Sequence, residues 1–207
     1  EALLRRTTAL IGDPERVPYP TTRHLWQARL GRVAEWFAET ERARQAIARP
    51  AHFEIMGHAE IPALGFTLRG KADRIDIDDR GGAHLYDYKT GAAPTESQQR
   101  HFDKQLLLEA AMVERGAFKD LQPRHTEQAV FVSVANNPRE VPAPLEEMPA
   151  QQVWAEFETL MARWFEPDRG YTARAALVRE KDLSEYDHLS RFGEWDVVDE
   201  ADREVLE

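Results

Sequence analysis

Hydrophobic positions along this chain change their period several times, and each change predicts an element. Leu25, Trp26, Leu30, Val33, Ala34 and Phe37 recur at helical spacing and predict an amphipathic helix through about Gln45, its stripe reading as core. Residues 1–22 carry Pro14, Pro18 and Pro20 behind a short apolar helix-like turn and read as an arm. After Pro50, residues 51–61 read as a first strand; Glu54 inside it reads as an exposed strand carboxylate, ahead of the alternative of a hydrogen-bonding group near the site. Phe66-Thr67-Leu68 leads into Ala72, Ile75 and Ile77, and His84-Leu85-Tyr86 leads into Asp87. These are two further strands, and Asp78-Asp79-Arg80-Gly81-Gly82 between them is turn chemistry, so the pair reads as a hairpin. Thr90 to Pro94 ends the third strand, and the polar residues 95–100 read as a loop. Residues 102–115 predict a helix with Leu106, Ala110 and Val113 on one face and Gly116 closing it. The continuous apolar run 128–135, stopped by Asn136-Asn137-Pro138, has the look of a strand buried on both faces. Val153, Trp154, Phe157, Leu160, Met161, Trp164 and Phe165 then mark a second strongly amphipathic helix ending before Pro167. The order is helix, three strands, helix, strand, which makes an α/β protein.

Composition narrows the function classes. A chain of 207 residues with 42% hydrophobic content, five Trp and nine Phe can bury one sizeable core. We expect residues 23–180 to form that core domain and residues 181–207 to be an acidic tail. No apolar stretch approaches the roughly 18 residues of a membrane span, and no basic-then-apolar signal segment opens the chain. The expectation is a soluble, cytoplasmic protein without a membrane partner. The absence of cysteine excludes disulfides, thiolate zinc sites and an iron–sulfur cluster within this chain. No Walker A or Gly-x-Gly-x-x-Gly text occurs, so no nucleotide pocket is expected. A net charge of −10 is unlike a free-standing nucleic-acid binder, whose grip on phosphates releases counterions from a basic surface. Any such contact has to be local or shared.

The chemistry concentrates between Gly70 and Gly91. The hairpin brings Asp73 beside Asp87, and Asp87 and Lys89, two apart on a strand, project together. Tyr88 points away and offers its backbone carbonyl. Two carboxylates and a carbonyl can hold a hard cation such as Mg²⁺ while leaving positions for phosphate and water. A neighbouring ammonium can orient the attacking water and neutralise charge on the phosphoryl oxygens. The competing reading is a solvated strand face whose ion pairs contribute roughly 0–1 kcal/mol.

The text Gly70-Lys-Ala-Asp-Arg-Ile-Asp76, then Asp87-Tyr-Lys-Thr-Gly91, then a helix opening Gln105-Leu106 resembles the PD-(D/E)xK nuclease superfamily and, within it, the RecB-like group. The likeness extends from about Arg23 to Trp195 and is strongest to the C-terminal nuclease domains of AddB-type helicase–nuclease subunits, in their alphaproteobacterial form. Trp26–Glu41, Tyr186-Asp187-His188-Leu189 and Gly193-Glu194-Trp195 add to it. The resemblance implies the αβββαβ core, a central mixed sheet flanked by helices. It implies a Mg²⁺-dependent (or Mn²⁺-dependent) deoxyribonuclease acting in double-strand-break repair beside an AddA-like partner. Asp73, Asp87 and the Tyr88 carbonyl would be metal ligands, with Lys89 and Gln105 completing the catalytic set. Arg69, Lys71, Arg74 and Lys104 lie close enough in sequence to the motifs to be candidate DNA contacts.

Two departures stand out. RecB-like nucleases add a ligand histidine on an upstream helix in a Gly-x-x-x-His-x-x-Leu-Glu context, which His24 lacks, and the chain opens on Glu1. We therefore expect a fragment of a longer protein with reduced metal affinity. Glu109 stands where many RecB-like relatives have tyrosine; the AddB-like branch resembles this chain in having glutamate there, so the departure does not read as loss of function. His52, His58, His84 and His101 form no ligand spacing and read as surface or hydrogen-bonded residues. The alternatives to catalysis are a nuclease-fold module that binds DNA or a helicase partner, and a purely structural domain.

Overall fold

In the computed structural model the described residues are 2–167, 169–170, 187–195 and 198–200, with side chains from Arg6 onward. In chain order the elements are α1 (Ala2–Gly12), α2 (Pro20–Ile47), β1 (Ala48–Ile61), a 3₁₀ turn (Pro62–Leu64), β2 (Phe66–Asp78) and β3 (Ala83–Lys89). They continue with α3 (Glu96–His101), α4 (Gln105–Glu114), β4 (Thr126–Ser133), β5 (Arg139–Pro142) and α5 (Ala150–Trp164). The sheet grows outward from the β2–β3 turn. There Asp78 accepts the N–H groups of Arg80 and Gly82 at 2.8 and 2.9 Å, and Gly81 takes φ +88°, a conformation that favours glycine.

That turn sets Ile75 against Leu85 and Arg74 against Tyr86 in antiparallel register. β1 pairs antiparallel along β2, from Ala48 opposite Asp78 to Ile61 opposite Phe66. β4 runs parallel to β3, which requires a crossover, and α3 with α4 supplies it. β5 closes the order β1-β2-β3-β4-β5 as an antiparallel edge. The expected αβββαβ core is therefore present as α2, β1–β3, α4 and β4.

Side chains alternate across this sheet, so each face acquires its own core. On one face Tyr86, Val130 and Val132 pack with Trp36 of α2, Tyr88 and Val134. Facing the other way, Ile75, Leu85 and Phe131 are wholly buried, as are Leu106, Leu107, Ala110 and Val113 of α4. Gly57 of β1 and its partner Gly70 of β2 allow Met112 and Phe118 to close on the β1–β2 pair; a β-carbon at Gly57 would lie 2.7 Å from the Phe118 ring. Gly116, at φ +66°, ends α4, and its N–H bonds to Val113 O.

Four details differ from the sequence reading. The segment read as a loop at 95–100 holds α3 (Glu96–His101), because Thr95 as N-cap and Gln98 form a reciprocal capping box at its start. The following helix begins at Gln105, not 102, since Phe102 (φ −131°, ψ −54°) breaks the chain direction and Asp103 Oδ1 accepts the Gln105 N–H at 3.2 Å. A fifth strand follows the Asn136-Asn137-Pro138 turn. The α2 stripe is core only in part: Val33 is buried, but Leu25 and Trp26 are nearly half exposed and Trp26 lines a groove of about 930 Å³ with Ile11, Leu30 and Phe37.

The chain divides into two compact units, residues 1–158 and 159–207. In the second, Arg169 lies 4.8 Å from the Trp164 ring, and Phe192 and Trp195 meet edge-on at 5.1 Å. Tyr186 and most of the expected acidic tail lie outside the described residues. No helix among the described residues is long and apolar enough to cross a membrane.

Candidate functional site

Alternation along Asp73-Arg74-Ile75-Asp76 and Tyr86-Asp87-Tyr88-Lys89 sends two sets of charged groups to opposite faces of the sheet. On the α2 face, Arg74 grips Asp76 through two 2.6 Å hydrogen bonds and reaches Glu41 of α2 at 2.7 Å and the Tyr88 hydroxyl at 3.1 Å. Arg44 of α2 binds Glu140 of β5 at 2.5 and 2.9 Å, and the Tyr86 ring lies between the two guanidinium groups at 5.2 and 5.3 Å. Burial alone would lower the Arg74 pKa, but Asp76 and Glu41 outweigh it and hold the guanidinium firmly charged. Burial would likewise raise Glu41; its bonds from Arg74 and Gln45 reverse this and keep it ionised.

The α4 face carries the candidate site. The β2–β3 ladder ends at Arg74 and Tyr86. One step further, the Asp73 carboxylate accepts the Tyr88 N–H at 2.9 Å, where a continued ladder would have used a backbone carbonyl. The substitution holds Asp73 at the edge of β3, beside Asp87. Asp87 is 4% exposed. Its Oδ1 accepts from Gln105 Nε2 at 2.5 Å. Its Oδ2 is 2.8 Å from Lys89 Nζ, yet takes no hydrogen bond of good geometry. Lys89 instead donates to Gln105 Oε1 at 2.9 Å and rests 5.2 Å over the Phe131 ring.

Gln105 is the first residue of α4, so its side chain reaches β3 while Glu109, one turn on, lies beneath it on the same helix face. Gln105 Nε2 donates to Glu109 Oε1 at 3.1 Å as well as to Asp87. Glu109 is buried, and burial is the main reason its pKa is pushed up to about 7. The Gln105 hydrogen bond opposes the rise, the Asp87 and Asp73 charges add to it, and Lys89 offsets part of it. Sequence reasoning noticed Glu109 without placing it in the site. Its spacing of four from Gln105 was the available signal.

The geometry thus brings together Asp73, Asp87, Tyr88, Lys89 and Gln105. It separates the four candidate DNA contacts. Arg69 and Lys71 are exposed on β2, Lys71 paired with Glu54, itself the exposed carboxylate expected. Arg74 has to be corrected: its neighbour Asp73 faces α4, so Arg74 faces α2, where it is 4% exposed and fully engaged. Lys104 is turned onto the Arg100 carbonyl and lies 3.5 Å from the Met148 sulfur, in surroundings whose burial lowers its pKa.

No cluster of three or more His, Cys, Asp or Glu groups able to hold a metal forms among the described residues. A divalent cation would draw on two carboxylates and the Tyr88 carbonyl. The donor set suits a hard cation, and the buried Asp87 Oδ2, with an ammonium near it but no hydrogen bond, is the atom such an ion would satisfy.

With a parallel-crossover mixed sheet and this group of side chains in place, the class is defined: residues 1–185 match the model of the PD-(D/E)XK nuclease superfamily, and the chain belongs to that family. It is also similar to an uncharacterized protein of Rickettsia typhi, 28% identical over 124 residues that cover 56% of this chain and 14% of that protein. A Rickettsia bellii protein, also uncharacterized, is 29% identical over 100 residues, 47% of this chain and 12% of its own length. The match therefore spans about one-seventh of these relatives.

Proposed function

We propose that this chain is a Mg²⁺-dependent deoxyribonuclease domain that hydrolyses phosphodiester bonds, with Mn²⁺ able to substitute. The observation that carries the reading is the joint placement of Asp87 and Lys89 under Gln105, with Asp73 held alongside by the Tyr88 N–H. Asp73, Asp87 and the Tyr88 carbonyl would hold the cation, which when bound polarises the phosphate and lowers the pKa of water. Lys89 orients the attacking water and offsets charge on the phosphoryl oxygens, and Gln105 keeps Asp87 and Lys89 in register. Arg69 and Lys71, exposed on β2, contact the DNA backbone.

The setting we infer is a longer helicase–nuclease subunit of the AddB type, cytoplasmic, working with an AddA-like partner in double-strand-break repair. The length of the Rickettsia relatives is compatible with such a protein. End-labelled DNA, titrated with Mg²⁺ and then Mn²⁺, provides the test. Cleavage should need the metal, fall to background in Asp87→Ala, and drop by about 10²–10³-fold in Lys89→Ala. Cleavage that survives both substitutions, or that needs no metal, removes the assignment. Metal-independent DNA binding without cleavage favours a binding module instead.

A further inference from the structure

We propose that Glu109 is a positioning residue that locks the Gln105 side-chain amide in the one orientation that serves both Asp87 and Lys89. The proposal rests on the nuclease reading of the site but concerns a residue that reading does not use. Gln105 Nε2 donates to two carboxylates, Asp87 Oδ1 at 2.5 Å and Glu109 Oε1 at 3.1 Å, while its Oε1 accepts from Lys89 Nζ at 2.9 Å. Turning the amide over would set Oε1 against both acids and leave the ammonium facing Nε2. With both amide hydrogens committed, Asp87 Oδ1 stays occupied and Oδ2 stays the oxygen without a hydrogen bond. Glu109 therefore decides, through Gln105, which oxygen of Asp87 is presented and where the Lys89 ammonium rests.

The surroundings of Glu109 argue against a purely structural role. It is 6% exposed, and its neighbours Leu106, Leu107, Ala110 and Val113 on α4 are buried and apolar. No ion pair to Glu109 is found among the described residues, and the charges that act on it are Asp73 of β2 and Asp87 and Lys89 of β3. A buried acid with one hydrogen-bond partner among the described residues costs stability that an apolar residue would not. Its burial also pushes the carboxyl up to about 7, the price of keeping an acceptor at this point.

Glu109→Gln retains a side-chain oxygen at the same reach; Glu109→Leu does not. In ¹⁵N-labelled protein without metal, the Gln105 side-chain NH₂ pair, assigned through its loss in Gln105→Leu, should keep its dispersed position in Glu109→Gln and move toward the free-amide position in Glu109→Leu. In metal-dependent cleavage, Glu109→Leu should lower kcat by about tenfold with KM unchanged, and Glu109→Gln should stay within about threefold of wild type. Adding Glu109→Leu to Gln105→Leu should cause no further loss. An unmoved amide pair in Glu109→Leu overturns the proposal, as does a full additional loss in the double variant. The amide measurement needs no cleavage, so a chain that fails to cut DNA while showing the expected shift sinks the nuclease reading and leaves the positioning role standing.

Discussion

The two faces of one hairpin bury charge in opposite ways. Toward α2, Arg44 and Arg74 meet Glu41, Asp76 and Glu140, so that every carboxylate touches a guanidinium. Toward α4, Asp87 meets the Lys89 ammonium and shares the neutral Gln105 amide with Glu109, while Asp73 accepts the Tyr88 N–H. The first arrangement satisfies its members and ties α2 to the sheet. The second leaves one carboxylate oxygen beside the ammonium but without a hydrogen bond, and a carboxyl lifted to about 7. Saturated charge marks a fastening, whereas an excess of carboxylates over cations at the end of a ladder is the arrangement the proposed cation would complete.

Breaking the fastening should give the larger effect on stability. Arg74→Met leaves Asp76, which is fully buried, with no guanidinium. Removal of one partner from a buried pair costs about 3–5 kcal/mol. A chain of this size should lose on the order of 10 °C in Tm. Adding Asp76→Leu should recover most of the loss, because the uncompensated charge goes with it. Cleavage per folded molecule should be unchanged in both variants, since the substituted groups face α2. An unchanged urea midpoint for Arg74→Met would show that the α2-side network contributes nothing.

Local signals carried the hairpin. Period-two alternation on either side of an Asp-Asp-Arg-Gly-Gly turn is enough to set β2 against β3, and the same alternation puts Asp87 and Lys89 on one face. The reading failed where neighbours in sequence were taken as neighbours in space. Arg74 adjoins Asp73 and for that reason faces away from it. The Arg44–Glu140 pair joins residues 96 apart and has no local signature. Glu109 sits four residues from Gln105, so their shared helix face was legible, but its burial depends on how closely α4 lies on β3 and β4. The capping box at Thr95 was readable and was masked by the polar character of the segment it caps.

The site face can be tested by pH. The folded-state pKa of Glu109 is raised from 4.5 to about 7, so between these values the folded chain binds more proton than the unfolded one. The stability this protonation maintains is complete below pH 4.5 and lost as pH rises through 7. At about 1.4 kcal/mol per pH unit, the loss is at most about 3 kcal/mol by pH 8. Glu109→Gln, which cannot ionise, should be more stable than wild type by about 1–3 kcal/mol at pH 8 and nearly equal to it at pH 5. Urea unfolding at the two pH values reads this directly. An equal difference at both means that Glu109 is not the group under strain.

The smallest effect belongs to the exposed cations beside the site, where solvent weakens every pair. Arg69 and Lys71 lie on β2 within four residues of Asp73, and Lys71 is tied to Glu54, whose hydrogen bond raises the lysine pKa. Phosphate contacts show themselves by salt dependence, each one adding about 0.9 to the slope of log affinity against log salt. Arg69→Ala should therefore weaken binding of a DNA duplex, in EDTA to prevent cutting, and reduce that slope by about 1. Glu54→Ala should act in the opposite direction, releasing Lys71 and removing a negative charge from the same ribbon, so binding tightens about two- to threefold at low salt and not at high salt. Identical slopes for wild type, Arg69→Ala and Glu54→Ala would mean that DNA does not pass over this part of β2. The site would then have to be approached from the side of α3 and the Phe102 break.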